Sequence, residues 1–158
     1  QVLQGVARAD VQLGPAPPPD YSPLLSVLAE VRDKLVGLAP NNRALAEEVG
    51  AAMDEALLRQ MLEREAFDGG SVRRLVAFAG QQVLALQAPA RAARTRRWLG
   101  RFEAWGAGRP AADLVPRLPA VFEWLFARID EVRADIMAFQ LGQAVPHLRR
   151  HGVAYEKG

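Results

Sequence analysis

The residues best suited to bind another molecule are grouped in one predicted helix that runs from Arg91 to Trp105. Five arginines fall within eleven positions, and offsets of three, four and seven place most of them on the same side of a helix as two tryptophans. Guanidinium groups pair with carboxylates and phosphates, and large aromatic rings are enriched at binding hot spots. The candidate partner-binding surface, here named the Arg/Trp face, consists of Arg91, Arg94, Arg97, Trp98, Arg101 and Trp105.

Three interpretations of the Arg/Trp face remain open from the sequence. An acidic protein surface would suit its charge. Nucleic acid would also suit it, but the acidic first half of the chain would repel a polyanion, and no nucleic-acid-binding motif accompanies the arginines. In the third interpretation, the tryptophans pack into the core and the arginines only face water. We expect other proteins of a larger complex as partners, and neither nucleic acid nor a membrane.

Residues of catalytic type lack the arrangement that catalysis requires. His147 and His151 have the separation of two metal ligands on one helix face, but no glutamate stands between them, and two arginines do. The stretch Asp68 to Ser71 lacks the lysine of a phosphate-binding loop. The chain has no cysteine, which excludes a thiolate metal site. The sequence therefore predicts a protein that is not an enzyme, with no cofactor, metal or small-molecule substrate.

Composition predicts one domain whose charge is divided along the chain. The 158 residues are 50% hydrophobic, enough for one core. Residues 1–70 hold six basic against eleven acidic side chains, net −5, and residues 71–158 hold fourteen against seven, net +7. No run approaches the roughly 20 apolar residues of a membrane span, so we expect a soluble protein. The absence of cysteine fits a reducing compartment, and we expect a cytoplasmic location.

Apolar residues recur at helical spacing and predict an all-α fold, an antiparallel helical bundle of about five to six helices. The first helix is predicted from a Ser22 cap to Leu38, the second from an Asn41 or Asn42 cap to about Arg64, and the third from a Ser71 cap to Leu86. Stripes predicted to face inward are Leu24, Leu28, Val31, Leu35 and Leu38 in the first, Leu45, Val49, Met53, Ala56, Leu57 and Met61 in the second, and Val72, Leu75, Val76, Ala79, Val83 and Leu86 in the third. Pro89 opens the helix that carries the Arg/Trp face.

A long helix after Pro119 is predicted to be the centre of the bundle. It carries two apolar sets, so we expect neighbours on two sides, and Pro146 and Gly152 predict a bend or an end. The first set is Leu125, Ile129, Val132, Ile136 and Phe139, and the second is Phe122, Phe126, Met137, Leu141, Val145 and Leu148.

Residues 1–21 are predicted to form an extended Pro-rich arm ahead of a helical domain at 22–158. The run from Pro15 to Pro19 favours polyproline II, and Pro15 and Pro18 form a P-x-x-P spacing. Aromatic grooves recognise that spacing, so the arm is either a docking motif or a spacer.

Several motifs together resemble the T-complex protein 11 family. They are the run Leu38 to Arg43, the run Met53 to Gln60, the step Ala88 to Arg91, and the P-H-L-x-x-H-x-[IV]-x-Y-E pattern from Pro146 to Glu156. The order and spacing match from Leu24 to Lys157. The chain departs from the family at Gln87, at Ala138 to Gln140, and at Val145. The family domain continues beyond this pattern, so we expect this chain to be its front portion.

The resemblance implies an all-helical protein without known catalytic activity. Relatives are associated with sperm tails and motile cilia and, in fungi, with the cyclic-AMP kinase pathway. The expected function is therefore a non-enzymatic scaffold or adaptor subunit of a ciliary or flagellar axonemal assembly. The alternative is a regulator or adaptor in cyclic-AMP-dependent kinase signalling. The resemblance supplies no catalytic residues to carry over.

Overall fold

A computed structural model describes the backbone of residues 20–157 and the side chains of residues 20–149. Residues 1–19 of the predicted arm, which include Pro15 and Pro18, lie outside the described residues. The predicted all-α fold is confirmed, because residues 20–157 form helices without a strand. The elements are α1 (Ser22–Leu38), α2 (Arg43–Ala52), α3 (Glu55–Glu63), α4 (Gly69–Leu86), α5 (Pro89–Gly106), the single turn α6 (Ala111–Leu114), a 3-10 turn (Val115–Arg117) and α7 (Leu118–Lys157).

Carboxylate or amide side chains cap the starts of α2, α3 and α4. Asn42 Oδ1 accepts a hydrogen bond from the backbone N–H of Leu45 at 3.0 Å, which confirms one of the two predicted caps of α2. The Ser22 cap is wrong, because the Ser22 N–H itself donates to Asp20 Oδ1. An aspartate ahead of the serine accepts the free N–H more strongly, since its oxygens are charged.

An aspartate also takes the place of the predicted serine cap at the start of α4. Asp68 Oδ1 accepts hydrogen bonds from both the N–H and the hydroxyl of Ser71, so Asp68 caps α4 and the predicted Ser71 cap is wrong. Gly69 follows directly, and a Cβ there would collide with the backbone carbonyl oxygen of Arg109. A glycine is therefore needed where the loop before α6 crosses the start of α4.

The predicted second helix is two helices. It breaks at Met53, and Asp54 caps α3 by accepting from the Leu57 N–H at 3.1 Å. The break changes the helical phase, so Leu58 and Leu62 are buried instead of the predicted Ala56 and Leu57, which are exposed. A local aspartate cap thus overrides an apolar period that looks continuous in the sequence.

The core lies where α1, α4 and the first half of α7 meet. Every residue predicted to face inward from α1 and α4 is buried or partly buried there. The largest fully buried side chains are Leu35, Leu114, Leu125, Ile129, Val31, Val49, Val72, Val83, Val132 and Thr95. Among the described residues, no helix combines the length and the apolar character that a bilayer span requires.

The long helix α7 is central only along its first half. Its buried seam runs through Leu125, Ile129 and Val132 to the partly buried Ile136. Phe139 was predicted to continue this seam, but it is 67% exposed. In the second apolar set, Phe122 and Phe126 pack partly buried against the core, but the members in the second half of the helix are exposed, so the predicted neighbours on two sides do not extend there; the exposed members are Met137, Leu141, Val145 and Leu148.

The described backbone continues as one helix through Pro146 to Lys157, so the helix does not end at Pro146 or Gly152. At 1.5 Å per residue, the forty residues of α7 extend about 60 Å. The helix outruns α1 and α4, because those elements have only 17 and 18 residues.

Candidate functional site

Helices α5 and α7 run antiparallel and are joined by three successive side-chain contacts. Arg91 Nε lies 2.9 Å from Asp135 Oδ2 at one end. The rings of Trp98 and Trp124 meet in the middle, and the Arg117 guanidinium lies 5.1 Å from the Trp105 ring centre at the other end. Only a short segment, which contains α6 and the 3-10 turn, connects α5 to α7. Helices joined by a short connection pack antiparallel.

A row of contacting aromatic rings, here named the aromatic ladder, lies at the surface between α5 and α7. This surface is here named the α5 and α7 seam. Trp98, Phe102 and Trp105 recur at steps of four and three, so they share one face of α5. Trp98 stacks on Trp124 with ring centres 3.9 Å apart, and on Phe102 at 5.5 Å. Phe102 meets Trp105 at 6.1 Å in a tilted arrangement. All four rings are partly buried against the core, so each also keeps a solvent-facing part.

Positive side chains surround the middle of the ladder. A cavity of about 290 Å³ opens between α5 and α7, and none of the residues that line it is acidic. Three of its arginines come from the predicted Arg/Trp face, and the fourth comes from α7. The residues that line this cavity, here named the arginine pocket, are Arg94, Arg97, Trp98, Arg101, Trp124 and Arg128.

The arginines of α5 divide into paired and unpaired groups. Arg91 contacts Glu131 at 3.4 Å and Asp135 at 2.9 Å, so it serves as an ion-pair partner within the fold. Within residues 20–149, no ion pair or hydrogen bond involves the exposed Arg94, Arg97 or Arg101. The structure therefore places these three guanidinium groups together and leaves their donors available to a ligand.

The fourth arginine of the pocket is positioned by α7. Arg128 lies over the Trp124 ring at 5.6 Å, and its Nε is 3.2 Å from Glu131 Oε1. That Nε is buried but makes no hydrogen bond, because its N–H is not aligned with the carboxylate. The guanidinium of Arg128 is therefore held at the pocket, and it still has N–H donors that make no hydrogen bond to any described residue.

An apolar groove continues from the arginine pocket toward the start of α7. Its volume is about 440 Å³, and it shares Trp98 and Arg101 with the pocket. The rest of the groove is lined by Phe102, Trp105, Arg117, Ala120 and Val121. Arg109 closes over the far ring, with its guanidinium 4.6 Å from the Trp105 ring centre and its Nε donating to the Trp105 carbonyl oxygen at 2.6 Å.

Arg94, Arg97, Trp98 and Arg101 of the Arg/Trp face line the arginine pocket, and Trp105 lines the groove beside it, whereas Arg91 is engaged in ion pairs. The tryptophans pack against the core, as the third interpretation predicted, and three of the arginines line a pocket. The role of the Arg/Trp face in binding remains a prediction.

The half of the site that α7 supplies was not predicted from the sequence. Trp124 and Arg128 are four residues apart and repeat the arginine and tryptophan spacing of Arg94 with Trp98. That repeated spacing is the signal that could have found them. Arg117 and Arg109 carried no such signal, since only the return of the chain places them beside Trp105.

Polar residues elsewhere in the described part of the chain do not form a second site. No group of three or more histidine, aspartate or glutamate side chains within residues 20–149 is arranged to hold a metal ion. His147 is exposed on α7, and the His151 side chain lies outside the described residues. The hydrogen bonds from the Ser71 backbone N–H and hydroxyl lower the pKa of Asp68 below its ordinary value, as expected for a capping carboxylate. The α5 and α7 seam brings arginines and partly exposed aromatic rings together, and these residue types can bind anions and aromatic groups.

Comparison with known proteins agrees with the motifs read from the sequence. The family model described as T-complex protein 11 matches residues 6–158, which is nearly the whole chain. No solved structure matches the chain. The match covers every described helix and both sides of the α5 and α7 seam. The chain therefore belongs to the T-complex protein 11 family.

Proposed function

We propose that this chain is a non-enzymatic helical adaptor that binds a protein partner through the α5 and α7 seam. The observation that carries the proposal is the arginine pocket, where three unpaired guanidinium groups stand beside half-exposed aromatic rings. Interfaces are enriched in arginine and aromatic residues, because both combine apolar area with directional contacts. A helical bundle supplies a rigid support for them.

The charge of the seam defines the kind of partner. Neither the arginine pocket nor the groove has an acidic lining residue, and together they carry five arginines, which are Arg94, Arg97, Arg101, Arg117 and Arg128. A partner with acidic side chains and at least one bulky apolar side chain complements this surface in charge and shape. The acidic first half of the chain, net −5 over residues 1–70, favours such a protein partner over nucleic acid.

The family adds the expected setting. Association of the family with sperm tails and motile cilia supports a scaffold or adaptor subunit of a ciliary or flagellar axonemal assembly. This part of the proposal stands on family membership, whereas the binding surface stands on the contacts of α5 and α7.

The test combines charge reversal with salt extraction of isolated axonemes. We expect the chain to leave the axoneme together with a defined subcomplex, and the triple variant Arg94→Glu, Arg97→Glu, Arg101→Glu to separate from it while its circular dichroism and Tm stay native. The matched control reverses three exposed arginines outside the seam, Arg43, Arg96 and Arg133, and should remain bound.

Two results would contradict the proposal. Equal retention of both triple variants would remove the seam from the binding surface. Absence from the axoneme, together with direct binding to a subunit of the cyclic-AMP-dependent kinase, would favour the signalling alternative over the axonemal one.

A further inference from the structure

The arginine pocket is more specific than a generally basic surface. We propose that it is a phosphoryl-binding site, and that it takes a phosphorylated serine or threonine side chain of the protein partner. This inference rests on the proposed function and names the chemistry that the partner must carry.

Four arginines line the pocket. Arg94, Arg97 and Arg101 project from one face of α5, and the antiparallel packing of α7 brings Arg128 to the same cavity. One carboxylate is matched by one guanidinium fork. A phosphoryl group carries a charge near −2 and three acceptor oxygens, so it can engage several forks at once. The pocket has the donor count of a phosphoryl site.

The acidic side chains near α5 pair mainly with Arg91, which lies outside the pocket. One turn before the pocket, Arg91 has two carboxylate partners, Glu131 and Asp135. The residues that line the pocket include no acidic one, and within residues 20–149 only Arg128 among its arginines has a carboxylate nearby, with its Nε 3.2 Å from Glu131 Oε1. Like charges three and four residues apart on a helix repel each other, so this cluster destabilises the free helix. A bound dianion would remove that repulsion.

Apolar side chains lie beside the arginines of the pocket. The stacked rings of Trp98 and Trp124 form an apolar wall of the pocket, and the groove beyond it is lined by Phe102, Trp105 and Val121. The wall excludes water from one side of the guanidinium groups, which strengthens their interaction with an anion. The groove can accept a bulky apolar side chain next to the phosphorylated residue.

The test uses short synthetic peptides that differ at one position, which is phosphoserine, serine or aspartate next to a leucine. Binding to the full chain is followed by calorimetry and by tryptophan fluorescence, since two indoles line the pocket. We expect the phosphopeptide to bind about tenfold or more tightly than either other peptide, because the phosphoryl group has more charge and more acceptors.

Variants separate the geometry of the pocket from its charge. Arg97→Gln should weaken phosphopeptide binding about tenfold, and Arg97→Lys should weaken it too, because lysine keeps the charge but loses the bidentate fork. Arg96→Gln is the matched control, since Arg96 lies on the same helix but lines a separate cavity against α4. Its affinity should equal that of the native chain.

A pH series adds a readout that depends on the ligand. The second pKa of a phosphoserine is about 6, whereas aspartate titrates near 4. Lowering the pH from about 7.5 to about 5.5 should therefore weaken binding of the phosphopeptide and leave the aspartate peptide unchanged.

Equal affinity for the three peptides would overturn the phosphoryl assignment while leaving the adaptor role in place. Tighter binding to inorganic phosphate, to phosphoinositide vesicles or to RNA than to the phosphopeptide would overturn the assignment of a protein source. The adaptor role itself fails on a different result, the unchanged axonemal retention of the triple charge-reversal variant.

Discussion

The indole of Trp98 lies flat on the indole of Trp124, with ring centres 3.9 Å apart and planes 9° from parallel. This contact joins α5 to α7 across 26 residues of sequence and sets the depth of the arginine pocket, because both rings line it. The stack therefore has a structural role and a role in shaping the candidate site.

We expect the stack to appear as a coupling energy in a double-mutant cycle. Trp98→Leu and Trp124→Leu each remove one ring and keep an apolar side chain. Urea denaturation of both single variants and the double variant should give a coupling of about 1 kcal/mol, the excess of an aromatic pair over its buried area. Additive losses would show that the two rings stabilise the fold independently.

Two arginines of α5 should respond oppositely to neutralisation. Arg91→Gln removes the partner of Glu131 and Asp135 and should lower the free energy of unfolding by about 0.5–1 kcal/mol, a small value because the pair is partly exposed. Arg97→Gln removes a repelling charge and should raise it by a few tenths of a kcal/mol. Thermal denaturation at low and high salt checks both, since salt should shrink both effects. A loss of stability in Arg97→Gln equal to that in Arg91→Gln would contradict the division into paired and unpaired arginines.

The two halves of α7 should differ in their tolerance to substitution. Ile129 is fully buried, so Ile129→Ala should cost about 2–5 kcal/mol. Met137 and Leu141 are 54% and 63% exposed, so Met137→Ala and Leu141→Ala should each change the free energy of unfolding by no more than about 0.5 kcal/mol. Chemical denaturation measures all three. A large loss at Met137 or Leu141 would mean that the second half of α7 packs against the bundle.

The cap of α4 should make stability depend on acid pH. The hydrogen bonds from Ser71 hold the pKa of Asp68 below its ordinary value of 3.8. The stabilisation by the charged cap is therefore complete above that value and is lost as the pH falls through the lower folded pKa. Asp68→Asn keeps a capping oxygen but does not titrate. Its Tm should fall less steeply than that of the native chain below about pH 4, and parallel curves would contradict this.

Some features of this fold are local and could be predicted from sequence. The helical period of α1 and α4 identified most of their buried apolar residues but missed Leu25, and the Asn42 cap and the Pro89 start were correct. The shared side of Arg94, Arg97 and Trp98 also follows from helix geometry alone. These features depend on residues at most a few turns apart, so the chain near each residue contains the information.

The burial of an apolar helix face depends on whether a neighbouring helix extends far enough to cover it. The apolar residues Met137 and Leu141 have the same period as buried ones, but they are exposed because no described element packs against that length of α7. Periodicity predicts which face of a helix is apolar; it does not predict whether another helix covers it. The phase of α3 likewise changed because one aspartate ended the apparent continuity of the second helix.

The amino-acid sequence by itself determined the helical class, most helix boundaries and the arginine-rich, tryptophan-bearing face of α5. Only the tertiary structure decided that this face becomes a pocket, because Trp124 and Arg128 reach it through the antiparallel return of the chain after α6. Helix geometry acts over a few residues and can be read locally. A pocket between two helices requires their relative placement, which the packing of the whole core determines.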